Sequence, residues 1–259
     1  MKNRAFLEIN GLKLKYGDKA VLDGVTLKIE PREVLVVMGL SGGGKTTLLN
    51  LLLRLMEPTS GTIMFRGEEL LSLERRELNR ARTRIGMVFQ NAALISSMTV
   101  AENLALPLRE LSDKTPKEID KAIDEKLELV DLKDAREKLP GELSGGMKKR
   151  VGLARALMLD PELVLFDEPS AGLDPIATER IDDLILELKE EHNVTSIVVT
   201  HEMESAFAVA SRMAFLDKGK IIFDGTPDEI KGTDNKVIQK FLAPYLAHER
   251  TGELHHANS

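Results

Sequence analysis

Cysteine and tryptophan are absent from this chain, and aromatic residues amount to 4% of it. Without cysteine there can be neither a disulfide nor a thiolate metal site, which fits a reducing compartment. No apolar run approaches the roughly 18 to 20 residues that span a bilayer, so a membrane role has to run through a partner. Residues 1–18 contain no continuous apolar stretch and are not expected to act as a secretory signal. An excess of positive charge is missing too. With 36 Lys+Arg against 42 Asp+Glu the net charge is -6, which argues against bulk nucleic-acid binding while leaving room for a local basic patch. Internal repeats, low-complexity segments and flexible linkers are likewise not found.

What is present is ordinary globular material, with 259 residues that are 42% hydrophobic and 30% charged. That length supports one large unit with ample core. Residues 6–9, 12–16 and 25–29 read as short strands separated by Asn10-Gly11, Gly17-Asp18 and Asp23-Gly24, the pattern of a small antiparallel layer. Strands at 62–65 and 84–89 follow, with a charged helix between them at 74–82. From 90 to 157 strand patterns stop. Helical ones replace them, with Ile119, Ile123, Leu127 and Val130 on one face. Strands then return at 163–166 and 195–200, separated by the helical face Ile181, Leu184, Ile185 and Leu188. Two more, 213–216 and 220–223, flank Lys218-Gly219. Such alternation predicts a mostly parallel sheet covered by helices on both faces. Beyond Thr226 short helices and a polar tail are expected, with Val237, Ile238, Phe241, Leu242, Tyr245 and Leu246 forming an apolar stripe. That stripe suits packing on the chain's own domain, or contact with a second copy or an accessory subunit.

Gly39, Leu40, Ser41, Gly42, Gly43, Gly44, Lys45, Thr46 and Thr47 fit G-x-x-x-x-G-K-[ST] between the apolar run 34–38 and a helical run at 47–56. Strand, glycine-rich turn and helix start are the context in which backbone N–H groups can surround a phosphate. The helix dipole and the Lys45 ammonium add positive charge, and the Thr46 hydroxyl can serve Mg²⁺.

Residues 163–168, LVLFDE, make an apolar strand ending in two carboxylates, at the strand end where parallel sheets bind ligands. Asp167 suits Mg²⁺, and Glu168 suits the orientation or deprotonation of an attacking water. Residues 143–147, LSGGM, precede a helical run at 148–157. Ser144, Gly145 and Gly146 there suit either a second anion site at a helix N-terminus or a plain helix cap.

The order of these motifs, with a histidine after the strand at 197–199, resembles the ATP-binding cassette (ABC) transporter ATPases over about residues 5 to 230. The resemblance implies an α/β P-loop NTPase of ABC type, with an N-terminal antiparallel β layer and a helical insertion. Residues 1–259 then form one ABC domain. Its nucleotide core would be 1–89 and 158–230, its helical part 90–157, and its C-terminal helix and tail 231–259. The implied cofactors are ATP and Mg²⁺. Tyr16 resembles the aromatic that stacks on adenine, a contact worth ~1 to 3 kcal/mol in base-stacking systems, although strand packing would also use it. Gln90 resembles the glutamine that senses Mg²⁺ and water and couples to the membrane partner. Asp174, in AGLD, resembles the loop that touches the opposite subunit, and Asp-Pro also suits a helix cap. His201 resembles the switch histidine at the γ-phosphate.

ATP is then expected between two copies, with Lys45 and Thr46 of one facing Ser144, Gly145 and Gly146 of the other. The helical part would transmit the motion to integral membrane permease subunits. Residues 96–108, 143–157 and 196–207 most resemble the ATPases of Mce-type phospholipid transporters. This implies a Mce-type lipid-binding partner, a small cytoplasmic accessory subunit, and a peripheral place on the cytoplasmic face of the inner membrane. The alternatives are an importer cassette for an amino acid or organic cation, and a soluble non-transport ABC ATPase. Met147 departs from the family's usual Gln, and Leu40 is unusual inside the loop. The basic run Lys148, Lys149 and Arg150 is read as a solvated helix face, with Arg150 matching a family arginine. His192, His248, His255 and His256 are given no role.

Overall fold

The computed structural model describes the backbone of residues 5–256 and the side chains of residues 5–247. Two sheets organise it. The first is antiparallel, in the order β2-β1-β4-β5, and joins β1 (Leu7–Tyr16), β2 (Lys19–Ile29), β4 (Ser60–Phe65) and β5 (Glu68–Glu69). The second runs β10-β9-β3-β8-β7-β6. It comprises β3 (Val34–Met38), β6 (Ile85–Val88), β7 (Leu163–Asp167), β8 (Thr195–Val199), β9 (Arg212–Asp217) and β10 (Lys220–Gly225). All its pairings are parallel except β9 with β10.

Every residue of β3, β7 and β8 is buried, which explains their unbroken apolar sequences: both faces of the sheet are covered. Side chains alternate between the two cores. Val34, Val36, Met38, Val164, Phe166 and Val198 point into one core, and Leu35, Val37, Leu163, Leu165, Ile197 and Val199 into the other. The second core is closed by the antiparallel sheet and by α1 (Lys45–Leu52). A short helix α2 (Arg75–Arg82) leads into β6. The first core is closed by α3 (Val100–Leu111), α4 (Pro116–Leu129), α5 (Gly145–Ala156), α6 (Pro175–Glu190) and α7 (Met203–Val209). After α8 (Pro227–Lys231), α9 (Lys236–His256) completes it.

Local signals explain where the helices begin. Thr99, Thr115 and Thr226 each cap a helix through a reciprocal box with a glutamate three residues on. Ile119, Ile123, Leu127 and Val130 are buried together, as their spacing predicts. Two expectations need adjusting. The interruptions read at Asn10-Gly11 and Asp23-Gly24 are bulges inside continuous strands, visible as register shifts between β1 and β2. The first helix ends at Leu52 rather than at 56, because Arg54 turns left-handed (φ 49°) ahead of Pro58.

The C-terminal stripe packs on its own domain. Ile238 and Leu242 are buried in the first core, Phe241 meets Phe215 edge-on at 5.0 Å, and Tyr245 stacks on Phe207 at 4.7 Å. The side chains of His248, His255 and His256 lie outside the described residues. No described helix is long and apolar enough to cross a membrane.

One buried charge joins α6 to α7. Ser205 Oγ donates to Asp182 Oδ1 at 2.5 Å, and both residues are almost fully buried. Burial first, then the nearby charges of Glu202 and Asp183, push the Asp182 carboxyl up to about 6, against the opposing pull of the Ser205 hydrogen bond. The folded state therefore holds this proton more tightly than the unfolded chain. Its contribution favours folding below the ordinary value of 3.8 and is lost as pH rises through about 6. A shift of that size corresponds to ~3 kcal/mol. Asp182→Asn, which keeps an acceptor for Ser205, should be more stable than the parent at pH 8 by about 1 to 3 kcal/mol. The difference should shrink towards zero near pH 4, as read by urea unfolding across that range.

Candidate functional site

The loop after β3 is shaped by close contact with β9. Gly39 adopts φ 151°, and a Cβ there would lie 2.1 Å from the Leu216 carbonyl oxygen. Backbone rests directly on backbone, and only glycine fits. Gly43 N–H donates to Leu40 O at 3.0 Å and closes the turn. Gly44 then starts α1 in a left-handed conformation without a side-chain cap. The first-turn N–H groups of α1 are therefore left for an external acceptor, the arrangement that suits a phosphate. Lys45 is 7% exposed, and its Nζ donates to Gly39 O at 2.8 Å and Leu40 O at 3.2 Å, so its charge lies across the loop. Burial pushes its pKa down, opposed by the charges of Glu168 and Asp167.

Thr46 Oγ1 donates to Asp167 Oδ1 at 3.0 Å. Asp167 is buried at the end of β7, and burial raises its pKa, with the Thr46 hydrogen bond acting the other way. Two hard oxygen donors thus sit side by side at the edge of the loop, and the carboxylate pays a desolvation penalty that a cation would relieve. This chemistry fits Mg²⁺.

Glu168 is held on three sides. Its backbone is left-handed (φ 51°), its N–H donates to Val199 O at 2.8 Å, and its carbonyl accepts from Lys149 Nζ at 2.9 Å. Its side chain is 13% exposed, and Oε2 meets His201 Nδ1 at 2.8 Å and the His201 N–H at 3.2 Å. A left-handed conformation for a glutamate costs ~1 kcal/mol or more. The surroundings fix it, and they aim the carboxylate along the strand ends.

A cleft of about 500 Å³ is lined by all nine residues from 39 to 47 together with Gln90, Glu168 and His201. Val21 and Phe241 line it as well. Sequence reading missed both, because β2 and α9 reach the cleft only through tertiary packing. Tyr16 ends β1 at 57% exposure, its hydroxyl against Met56 Sδ at 4.0 Å, and it is not among the cleft's lining residues.

Ser144, Gly145, Gly146 and Asp174 belong to another surface. Ser144 caps α5 by accepting from Met147 N–H at 3.2 Å, and Asp174 caps α6 by accepting from Ala177 N–H at 2.9 Å. The two helix starts touch: a Cβ on Gly146 would come within 3.1 Å of Ala177 Cβ. Ser144, Gly145, Asp174 and Ile176 are all exposed on this joined face.

The basic run is not a solvated face. Lys149 is 7% exposed and bonds the Glu168 carbonyl, while Arg150 Nη1 donates to Val130 O at 2.7 Å. Burial lowers the pKa of both. The available signal was the spacing of Lys149 three residues before Gly152 and seven before Ala156, one helix face that turns inward.

The ABC transporter family profile matches residues 22–171. The probable ribonucleotide transport ATP-binding protein mkl of Mycobacterium tuberculosis is 39% identical over 91% of this chain, which spans 66% of that protein's length. The intermembrane phospholipid transport system ATP-binding protein MlaF of Haemophilus influenzae is 39% identical over 93% of this chain and 91% of its own. The methionine import ATP-binding protein MetN of Halalkalibacterium halodurans is 41% identical over 92% of this chain and 71% of its own. Among solved structures, a dimeric ATP-binding cassette in a post-hydrolysis state bound to ADP and Pi superposes with a TM-score of 0.78 at 32% identity. That alignment covers 85% of this chain and 98% of the other. The cbiO1 structure from Clostridium perfringens gives 0.82 at 29% identity, over 95% and 99%.

The contact of Gly39 with Leu216 makes a direct test of the loop. Gly39→Ala should lose ~2 kcal/mol or more of stability and weaken nucleotide binding at least about tenfold. Leu40→Ala, at a side chain that is 50% exposed, should leave both unchanged. Thermal melting and titration with a fluorescent ATP analogue read the two effects.

Proposed function

The chain belongs to the ABC transporter family of ATP-hydrolysing cassettes, and from that premise we propose that it powers a phospholipid transporter of Mce type. In this reading it is peripheral to the cytoplasmic face of the inner membrane, held there by integral permease subunits. A Mce-type lipid-binding protein and a small cytoplasmic accessory subunit complete the assembly. The observation that carries the lipid reading is the resemblance at residues 96–108 and 143–157, surfaces where cassettes of this family meet partners, together with the 39% identity to MlaF. The 41% identity to MetN favours a second reading, an importer cassette for an amino acid.

We assign the work of the site as follows. Two copies close around ATP, with residues 39–47 and Lys45 of one copy holding the phosphates and Ser144, Gly145 and Gly146 of the other covering them. The exposed face shared by Ser144, Gly145, Asp174 and Ile176 supports this arrangement, as do the dimeric cassettes among the structural neighbours. Lys45 and the α1 N–H groups stabilise charge that builds on the phosphates. Thr46, Asp167 and Gln90 would hold Mg²⁺, which would neutralise phosphate charge and polarise the γ-phosphoryl group. Glu168 takes a proton from the attacking water. His201 faces the carboxylate with Nδ1, so Nε2 is the ring nitrogen left to meet the γ-phosphate. Tyr16, exposed at its strand end, stacks on adenine.

Glu168→Gln should keep ATP binding, lower hydrolysis by ~10² to 10⁴, and accumulate a dimer in Mg-ATP that light scattering detects. Lys45→Ala should instead weaken ATP binding itself. Equal loss of binding in both variants would overturn this division of labour.

Deletion of the gene should leave cells detergent-sensitive, with excess phospholipid on the outer leaflet of the outer membrane. A solute-uptake defect with an intact barrier would instead establish the importer reading. Surface-phospholipid labelling beside uptake assays distinguishes the two.

A further inference from the structure

The segment between β6 and α3 carries Gln90 and holds an unusual conformation. Ala92 and Ala93 are both left-handed, at φ 56° and 49°, and each such non-glycine residue costs ~1 to 2 kcal/mol. Two in succession persist only where surrounding structure holds them. The holding group is Arg155, in the last turn of α5, whose Nη2 donates to Ala92 O at 2.9 Å and Nη1 to Ala93 O at 2.8 Å. Among the described residues no carboxylate pairs with this partly buried guanidinium, and burial lowers its pKa. The two carbonyls are what compensates its charge, and such charge-assisted bonds are strong and expensive to break. The α5 dipole, negative at this end, also favours the cation.

Contact reinforces the bonds. Ala92 is buried against α5 so closely that a Cβ on Gly152 would meet Ala92 Cβ at 3.1 Å, Cα at 3.2 Å and O at 3.3 Å. The far end of the segment is tied as well. Fully buried Asn103 accepts from Ile95 N–H and donates to the carbonyls of Ile95, Met98 and Thr99. Residues 92–99 are therefore fastened to α5 and α3. Gln90 and Asn91, just before them, are exposed, and their side chains make no hydrogen bond among the described residues.

We infer that Arg155 and Gly152 are positioning residues that lock residues 92–99 to α5 and so hold Gln90 at the cleft it lines. α5 begins at Ser144 and meets the loop eight residues later, about 12 Å along one rigid helix. Gln90 follows directly, because Ala92 N–H donates to Phe89 O at 2.9 Å across it, so the clamp on Ala92 sets its place. This rests on the proposed role of Gln90 in hydrolysis.

A double-mutant cycle on the full chain tests it, with steady-state ATP hydrolysis as the readout and thermal melting as the folding control. Arg155→Met keeps length and loses both donors. It should lower kcat about tenfold while KM for ATP stays within about twofold, because the phosphate loop is untouched. In a Gln90→Ala background the same change should alter kcat by less than about twofold, since the residue it positions is gone. Arg155→Lys, able to serve one carbonyl, should recover part of the loss. Gly152→Ala, which pushes on Ala92 without removing a charge, should show the same dependence on Gln90 and carries the test if Arg155→Met does not fold. Equal fold losses with and without Gln90 would overturn the positioning role. If Gln90→Ala alone leaves kcat unchanged, the assignment of Gln90 fails, and the clamp's role with it.

Discussion

The register of three parallel strands is the constraint on which the site depends. Val37 of β3 and Asp167 of β7 both pair with Val199 of β8, so the three strands end abreast. Whatever follows each strand is delivered to one edge: the glycine-rich loop after β3, Glu168 after β7, His201 after β8. A slip of one residue would exchange the two faces of a strand and move its terminal group off that edge. Burial of all three strands on both faces makes such a slip prohibitive, because each side chain fills a place in one of two cores. The rigidity of the fold and the precision of the site have the same origin.

Charge at that edge is handled by mutual compensation. Lys45 and Asp167 are each buried enough to disfavour their ionised forms, and each is restored towards ionisation by the other. Lys149 adds a third buried charge, but it spends its hydrogen bond on the Glu168 backbone and so holds a strained residue in place. A cluster of this kind is poorly solvated, and a polyanion with its cation would suit it. Among the described residues Glu168 is anchored through its backbone by Val199, Lys149 and Ala171, and its carboxylate meets His201.

A second group of residues lies on a surface of its own. Ser144 and Asp174 cap two touching helices, and with Gly145 they are exposed, whereas the cleft is completed by Gln90, Glu168 and His201. Within one chain the two groups are joined mechanically through α5, whose inward face carries Lys149 to Glu168 and Arg155 to the loop after Gln90. The helix is therefore a physical connection between the outward face and the edge that carries Glu168, independent of how copies assemble.

Much of this was legible in the residues alone. The glycine-rich loop and the DE strand end depend on short-range rules: glycine where backbone must approach backbone, apolar runs where both faces are buried. Those rules operate within a few residues, so the sequence is sufficient to state them. It was silent, or misleading, wherever the outcome depended on what lay opposite. Lys149 and Arg150 read as a solvated face and turned inward, because the start of α5 lies against the residues that follow β7 and α4. Phe241 read as part of a stripe and came to line the cleft, because α9 folds back beside Phe215. Asn10-Gly11 read as a turn and became a bulge, because β2 and β4 hold β1 straight on both sides. Local composition determined which elements form and what chemistry they carry. Only tertiary packing decided which faces turn inward, since burial is a property of two surfaces and the sequence of one element specifies a single one.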